Sequence, residues 1–335
     1  MDLPVDSPRP DIRASRRARV LSDACSAQWD RGGIPAWGTA ARAEFWLAVE
    51  QPGPWGHDAF ASSHLGPDLG KNIEAVVASA GGRALLIRRP GRAGDARVRR
   101  PRQVFLACGA GIGRPTLLAG RLHEPSDVLE LPWDVLGSGG VPDETSLPGL
   151  TRSPESVALI CTNAKRDVCC ALRGLPLAAN LARRYPNRVW ECSHTGGHRF
   201  APTGVLLPTG ATLGRLDAAL ADAALGSPSH DIATELLDRR VLRGLAHLAP
   251  LDQTVDAYAR IRWDLADIRE PVRIEWEPGA EGGATQGRAR RARVTGPAKH
   301  SLRVEVTART DPEPRRVSCE RDPSISTYLD VTEVT

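Results

Sequence analysis

The sequence predicts an α/β protein, because short apolar runs typical of strands alternate with longer helical patterns. The order strand, helix, strand occurs twice, at residues 44–88 and again at residues 156–192. A chain of 335 residues with 41% hydrophobic content is long enough to form two cores of ordinary domain size. We therefore expect two α/β regions in one chain.

The first region is expected at residues 41–136, after an N-terminal extension over residues 1–40 that carries one candidate helix, residues 14–29. Its predicted elements are strands at 44–50, 83–88 and 103–108 and a helix at 69–80. Glycines follow the last strand, but the third glycine of a dinucleotide-binding G-x-G-x-x-G motif is replaced by Arg114. Pro115 then leads into another apolar run, so a plain loop is the prediction there.

The second region is expected at residues 155–226, after a Gly/Pro/Ser-rich linker at 137–154. Its predicted strands are 156–161, 189–192, 204–207 and 212–216, and its predicted helices are 168–185 and 218–225. Asp167 is a suitable N-cap for the first of these helices. The segment RPTLLAGRL (114–122) resembles part of GVLLPTGATLGRLD (204–217), which suggests that the first region is a degenerate repeat of the second.

The last region, residues 227–335, is predicted to contain a helical segment and then a small β appendage. Helical spacing of leucines extends over residues 231–265. The predicted strands are 272–276, 289–294, 302–308 and 325–334.

Composition argues against several classes of protein. The net charge is only +4, and the 41 arginines are interleaved with acidic residues, whereas nucleic-acid-binding proteins concentrate positive charge on one face. No apolar run reaches the roughly 18 residues of a membrane span, and the first fifteen residues lack the apolar core of a signal peptide. We expect a cytoplasmic protein that binds neither nucleic acid nor membrane.

Seven cysteines, an odd number, argue against a disulfide framework and favour metal or redox chemistry.

Two cysteines and two histidines form the main candidate site. Cys161 directly follows a predicted strand and Cys170 lies one turn into the next helix. His194 and His198 are separated by Thr195-Gly196-Gly197, and two glycines disfavour a regular helix, so this segment is expected to be a loop. Two thiolates and two imidazoles make a four-ligand set for a metal centre.

Two kinds of centre fit such a set. One is a structural zinc ion and the other is a [2Fe–2S] cluster with two cysteine and two histidine ligands. The eight residues between the cysteines argue against a zinc finger, and H-T-G-G-H lacks the glutamate of a zinc protease. Cys192-Ser193-His194 has the Cys-x-His spacing of a Rieske protein, but the rest of that pattern is missing.

A third interpretation needs no metal. A thioredoxin-like thiol oxidoreductase could use Cys169 with Cys170 or Cys192, although the chain lacks a C-x-x-C motif. Cys192 could also pack beneath a cluster. The remaining cysteines are interpreted as buried small apolar residues, namely Cys25, Cys108 and Cys319.

The segments CTNAKRDVCCALRG (161–174) and VWECSHTGGHRFAPTGVLLPTG (189–210) resemble the sucrase/ferredoxin-like family. The resemblance implies a thioredoxin-like ferredoxin domain with a bis-histidinyl [2Fe–2S] cluster. The positions that fit the family's C-x8-C and H-x3-H motifs are Cys161, Cys170, His194 and His198. Pro202 resembles the loop proline, often cis, that precedes a central strand in thioredoxin-like folds. Cys169 remains an alternative to Cys170, although the family pattern places the ligand three residues after the Arg-Asp pair.

The function expected from this resemblance is electron transfer, more that of a carrier than of a catalyst. A partner protein, either a reductase or an acceptor, would exchange the electron. Histidine ligands can gain or lose a proton near neutral pH, so proton-coupled transfer is expected. The structural zinc module and the thiol oxidoreductase remain the alternatives.

Overall fold

The computed structural model describes residues 22–91, 101–147, 149–278 and 289–335. The first part of the candidate helix at residues 14–29 lies outside the described residues; within them, the helix here named α1 begins at Cys25. The described residues form a large mixed sheet with helices and a small antiparallel sheet. The predicted α/β class is confirmed.

The bounds of the elements agree closely with the predictions in most of the chain. The helices are α1 (Cys25–Gly32), α2 (Ala59–Ser62), α3 (Pro67–Ser79), α4 (Trp133–Gly137), α5 (Val168–Arg184), α6 (Ala218–Gly226) and α7 (Pro250–Trp263). The strands of the large sheet are β1 (Trp46–Glu50), β2 (Arg83–Arg88), β3 (Arg102–Cys108), β4 (Thr116–Leu122), β5 (Leu150–Ser153), β6 (Val157–Cys161), β7 (Val189–Cys192), β8 (Gly204–Leu207), β9 (Ala211–Leu213) and β10 (Leu242–Leu245). The small sheet contains β11 (Arg273–Trp276), β12 (Arg290–Thr295), β13 (Ser301–Thr310) and β14 (Thr327–Val334).

The large sheet repeats one strand arrangement on either side of its centre. Its ten strands lie in the order β10-β9-β8-β6-β7-β2-β1-β3-β4-β5. In each half the first two strands are parallel, and the third strand is antiparallel to the first. The halves meet where β2 pairs antiparallel with β7, with Ile87 opposite Cys192. The two α/β regions of the sequence are thus joined in one continuous sheet.

The central strands are buried along their whole length because both faces of the sheet are covered. All residues of β1 and of β6 are buried, which is the pattern expected for strands between two layers. Helix α5 packs on this sheet through Leu177, Ala178 and Leu181. The side chain of Asp167 accepts a hydrogen bond from the backbone N–H of Cys169 and so caps α5 as predicted.

Two predictions about irregular segments are wrong. The segment at residues 231–265 is not helical throughout: it contains the strand β10, and its helix, α7, begins at Pro250. Apolar residues three apart fit a short buried strand as well as a helix, and pairing with β9 decides between them. The predicted linker at 137–154 contains β5, which pairs with β4 and is the edge strand of the large sheet.

The predicted β appendage is the four-stranded sheet, ordered β11-β12-β13-β14. Its buried valines, Val294, Val304, Val306 and Val331, share a core with Val255 of α7. Among the described residues, no helix is both long and apolar enough to cross a membrane.

Candidate metal centre

The two cysteines of the predicted ligand set lie where a strand and a helix approach each other. Cys161 is the last residue of β6 and Cys170 is the third residue of α5, and both are fully buried. Gly174 permits the close approach, because a β-carbon there would lie 2.3 Å from the carbonyl oxygen of Cys161. The end of β6 and the first turn of α5 thus bring the two sulfurs together.

The two histidines lie on the loop after β7. Gly196 and Gly197 adopt left-handed backbone angles, φ +83° and +74°, which few other residues tolerate. Arg243 of β10 supports this loop: its guanidinium donates to the carbonyl of Gly196 over 2.9 Å. A β-carbon at Gly197 would lie 2.5 Å from the same guanidinium. The role of Arg243 was not predicted from the sequence, although an arginine inside the apolar strand LRGL was a signal.

The structure gathers three of the four predicted ligands. One donor atom from each of Cys161, Cys170 and His194 lies within 4.8 Å of the others, whereas His198 falls outside this group. His198 is nevertheless adjacent, since its ring centroid lies 5.3 Å from that of His194 with the planes tilted by 30°. Its Nε2 atom lies 3.7 Å from Oδ2 of Asp167. His198 is therefore beside the group, with one ring nitrogen facing a carboxylate.

Both histidines carry an unpaired nitrogen. The Nδ1 atoms of His194 and His198 are buried and have no hydrogen-bond partner. A buried polar atom without a partner is costly, and such atoms commonly mark a missing ion or water. The free Nδ1 of each ring could bind a metal, while the Nε2 of His198 faces Asp167 as a metal-bound imidazole commonly faces a carboxylate.

The electrostatics of the cysteines favour one thiolate. A hydrogen bond from the Cys170 thiol lowers the pKa of Cys161, against the effect of burial, and His194 lowers it further. The same hydrogen bond, together with burial, raises the pKa of Cys170. Burial lowers the pKa of the nearby Arg243 to about 9 and also lowers the pKa of His198. The pair holds a proton that binding of a metal would displace.

This donor set fits a [2Fe–2S] cluster. Thiolates and imidazoles are its ligands in bis-histidinyl proteins. A tetrahedral zinc ion has bonds of about 2.0 to 2.3 Å and therefore needs four donors within about 4 Å of one another. A single tetrahedral ion bound by all four residues would need His198 inside the compact group of three, and His198 lies outside it.

The two adjacent cysteines at the start of α5 belong to different groups of donor atoms. Cys170 lies with Cys161 and His194, whereas Cys169 lies with Cys25, Cys319 and Asp167 in a second group of donors within 4.8 Å. Cys25 and Cys319 were predicted to be buried small apolar residues, so this group was not foreseen from the sequence. The other cysteines, Cys108 and Cys192, are buried, and burial raises the pKa of each.

Comparison with known proteins identifies the family. No curated protein and no solved structure matches the chain. The model of the sucrase/ferredoxin-like family matches residues 36–244, which is more than half of the sequence and includes the four predicted ligands. The peptide bond before Pro202 is cis, as the resemblance suggested. The chain therefore belongs to the sucrase/ferredoxin-like family.

Proposed function

We propose that this protein transfers electrons through a [2Fe–2S] cluster bound by Cys161, Cys170, His194 and His198. The observation that carries the proposal is that Cys161, Cys170 and His194 hold donor atoms within 4.8 Å of one another, while the Nδ1 atoms of His194 and His198 are buried without a partner. Four donors of these two types are the ligand set of a bis-histidinyl cluster. Bound there, the cluster would supply one-electron transfer.

Arg243 is expected to favour the reduced state. Its buried guanidinium interacts electrostatically with Cys161 and Cys170 and donates to the loop that carries both histidines. A fixed positive charge in a site with little solvent stabilises added negative charge more strongly than it would in water. Arg243 therefore both positions the histidine loop and raises the reduction potential.

Asp167 is expected to couple proton and electron transfer. Its Oδ2 atom faces Nε2 of His198 over 3.7 Å, and its side chain is fully buried. A proton held at Nε2 would be stabilised by this carboxylate, and more so when the site gains an electron. Electron uptake would be accompanied by proton uptake at His198 where Nε2 is deprotonated, as an imidazolate, in the oxidised protein.

The surface beside the site suits an acidic redox partner. Lys165 and Val168 are exposed and Arg166 is partly exposed on the segment that links the two cysteines. A positively charged rim around an apolar residue favours encounter with an acidic protein. We propose a protein reductase or acceptor as partner, in the cytoplasm, and neither nucleic acid nor membrane.

The test is to purify the protein without oxygen and to measure iron, inorganic sulfide, absorption and electron paramagnetic resonance on one sample. We expect equal amounts of iron and sulfide and a signal that appears on reduction. A colourless protein that binds zinc, even after attempted cluster reconstitution, would refute the proposal in favour of a structural zinc module. A metal-free protein that reduces disulfides would favour the thiol oxidoreductase.

Histidine variants then test the ligands. His194→Cys and His198→Cys should each keep a cluster but lower its reduction potential, because a thiolate is negative where an imidazole is neutral. The control is His64→Cys, which changes an exposed histidine of the first half and should leave the potential unchanged. An unchanged potential in both ligand variants would remove the histidines from the ligand set.

A further inference from the structure

Three cysteines from distant parts of the chain meet beside the candidate cluster site. Cys25 begins α1, Cys169 is the second residue of α5, and Cys319 lies in the segment before β14. The Sγ atom of Cys169 lies 3.4 Å from that of Cys25 and 3.1 Å from that of Cys319, and all three cysteines are free. Residues up to 294 positions apart thus meet at one point.

The surroundings of these sulfurs are suited to thiolates. Cys25 and Cys169 are buried against Ala24 and Ala201. The hydroxyl of Ser26 donates to Sγ of Cys169 over 3.4 Å, and the backbone N–H of Cys25 donates to Sγ of Cys319 over the same distance. Hydrogen bonds of this kind orient metal-bound thiolates and stabilise their charge.

A fourth donor and a positive charge are also present. The carboxylate of Asp167 belongs to the same group of donors within 4.8 Å. It is held in place by hydrogen bonds from the N–H groups of Cys169 and Cys319, of 2.9 and 3.0 Å. The guanidinium of Arg199 interacts electrostatically with Cys25, and its Nε atom is buried without a hydrogen-bond partner.

We propose that Cys25, Cys169 and Cys319 bind a zinc ion, with the carboxylate of Asp167 as the fourth donor. Zinc binds thiolate and carboxylate ligands in tetrahedral geometry. Bonds of about 2.3 Å would place the sulfurs about 3.8 Å apart, so the triangle would open by about half an ångström around the ion. Arg199 would balance the excess negative charge of three thiolates and a carboxylate.

Such an ion would connect segments that the family match does not contain. The match covers residues 36–244 and therefore includes Cys169 but neither Cys25 nor Cys319. The ion would attach α1 and the segment before β14 to the first turn of α5. Because Cys169 is followed by Cys170, the zinc site would also fix the turn that presents Cys170 to the cluster site.

Metal analysis of the whole chain tests this proposal. We expect about one zinc ion per chain in the reduced protein, as binding by three thiolates implies. Cys25→Ser and Cys319→Ser should each lose most of this zinc and retain iron. Cys108→Ser is the matched control, since Cys108 is a buried cysteine outside both groups, and it should retain both metals.

Cys161→Ser separates this proposal from the proposed function. It should lose iron and keep the zinc; zinc lost in Cys161→Ser and retained in Cys25→Ser and Cys319→Ser would overturn the second site. A mass two hydrogens lower under non-reducing conditions, removed by Cys319→Ser, would show a disulfide and would also overturn it.

Cobalt provides a test that needs no variant of the second site. Metal-free, reduced Cys161→Ser protein titrated with Co²⁺ should develop the thiolate-to-cobalt charge-transfer band of a tetrahedral site. Absence of this band would refute the proposal even if the serine variants of the second site failed to fold.

Discussion

The two halves of the large sheet have the same strand arrangement but different residues at the corresponding strand ends. In the second half β6 ends in Cys161, whereas in the first half the corresponding strand β1 ends in Glu50. Glu50 is buried and accepts a hydrogen bond from the backbone N–H of Gln103 over 3.0 Å. The two halves thus share a strand arrangement, but the corresponding strand end carries a hydrogen-bonded carboxylate in the first half and a predicted ligand in the second.

In the first half, an aromatic side chain packs beside the end of β1. Trp55 is buried, donates through Nε1 to the carbonyl of Gln51, and lies under the guanidinium of Arg88 at 4.3 Å. In the second half the segment after β6 carries Asn163, whose amide donates to the carbonyl of Gly56 across the junction. The first half therefore closes this end of the sheet by packing and supports the loop of the second half.

The largest effect on stability is expected at the junction of the halves. Glu191 of β7 is almost fully buried and pairs with Arg88 of β2 at 2.7 Å. It also accepts a hydrogen bond from the hydroxyl of Thr162. Glu191→Ala should lower the free energy of unfolding by about 3 kcal/mol, because it leaves a largely buried cation without its partner. Chemical denaturation followed by tryptophan fluorescence would measure the change.

The matched control is Glu333→Ala, which removes an exposed ion pair with Arg262. Exposed pairs contribute less than about 1 kcal/mol, so this variant should be close to the wild type. If the two variants lost equal amounts of unfolding free energy, the ion pair at the junction would contribute no more to stability than an exposed pair. Separate unfolding transitions in the wild type would show that the halves are independent units.

The regular elements could be predicted from the sequence because each is specified locally. The period of apolar residues placed β2 and β7 at their observed bounds, and Asp167 indicated the start of α5. The assembly of Cys161, Cys170 and His194 followed from their positions at strand and helix ends. Local patterns carry this information because they describe a residue's neighbours in the chain.

Contacts between distant residues could not be predicted in this way. Cys25 and Cys319 meet because α1 contacts the segment between β13 and β14, and no local pattern predicts that contact. Arg243 reaches the histidine loop only because β10 pairs with β9, and that strand was itself predicted as helix. A candidate site whose residues lie within 60 positions can be predicted from their spacing in the sequence. A group formed by three distant segments cannot.

A substitution at Gly174 tests how closely α5 must pack against β6 in the second half. Gly174→Ala would place a β-carbon 2.3 Å from the carbonyl oxygen of Cys161, so α5 would have to move away from β6. We expect a loss of about 2 kcal/mol in unfolding free energy, typical of overpacking, together with less bound iron. Thermal or chemical denaturation and an iron assay would measure the two effects.

Gly226→Ala is the control, since a β-carbon at this last residue of α6 meets no atom within 4 Å. It should leave iron content unchanged and should not lower stability, because alanine restricts the unfolded chain. A Gly174→Ala variant as stable and as rich in iron as Gly226→Ala would mean that the contact between α5 and β6 is not tight.

The smallest effect is expected in the pH dependence of stability, at a histidine where the two halves are in contact. His247 follows β10, and its ring faces the turn at Ala110–Ile112 in the first half: a β-carbon at Gly111 would lie 3.5 Å from it. Its Nδ1 atom is buried and unpaired. Burial lowers the pKa of His247, and the nearby Arg260 adds to this shift whereas Asp256 and Glu44 oppose it.

Because the pKa of His247 is lower in the folded protein than in the unfolded chain, its contribution to stability is complete above the unfolded pKa, about 6.5. That contribution is lost as the pH falls through the folded pKa, since the unfolded chain then binds a proton more readily. The unfolding free energy of His247→Gln should therefore fall less between pH 7 and pH 5 than that of the wild type. The exposed His64→Gln should keep the wild-type pH dependence. Identical slopes for His247→Gln and the wild type would mean that this contact between the halves does not respond to pH.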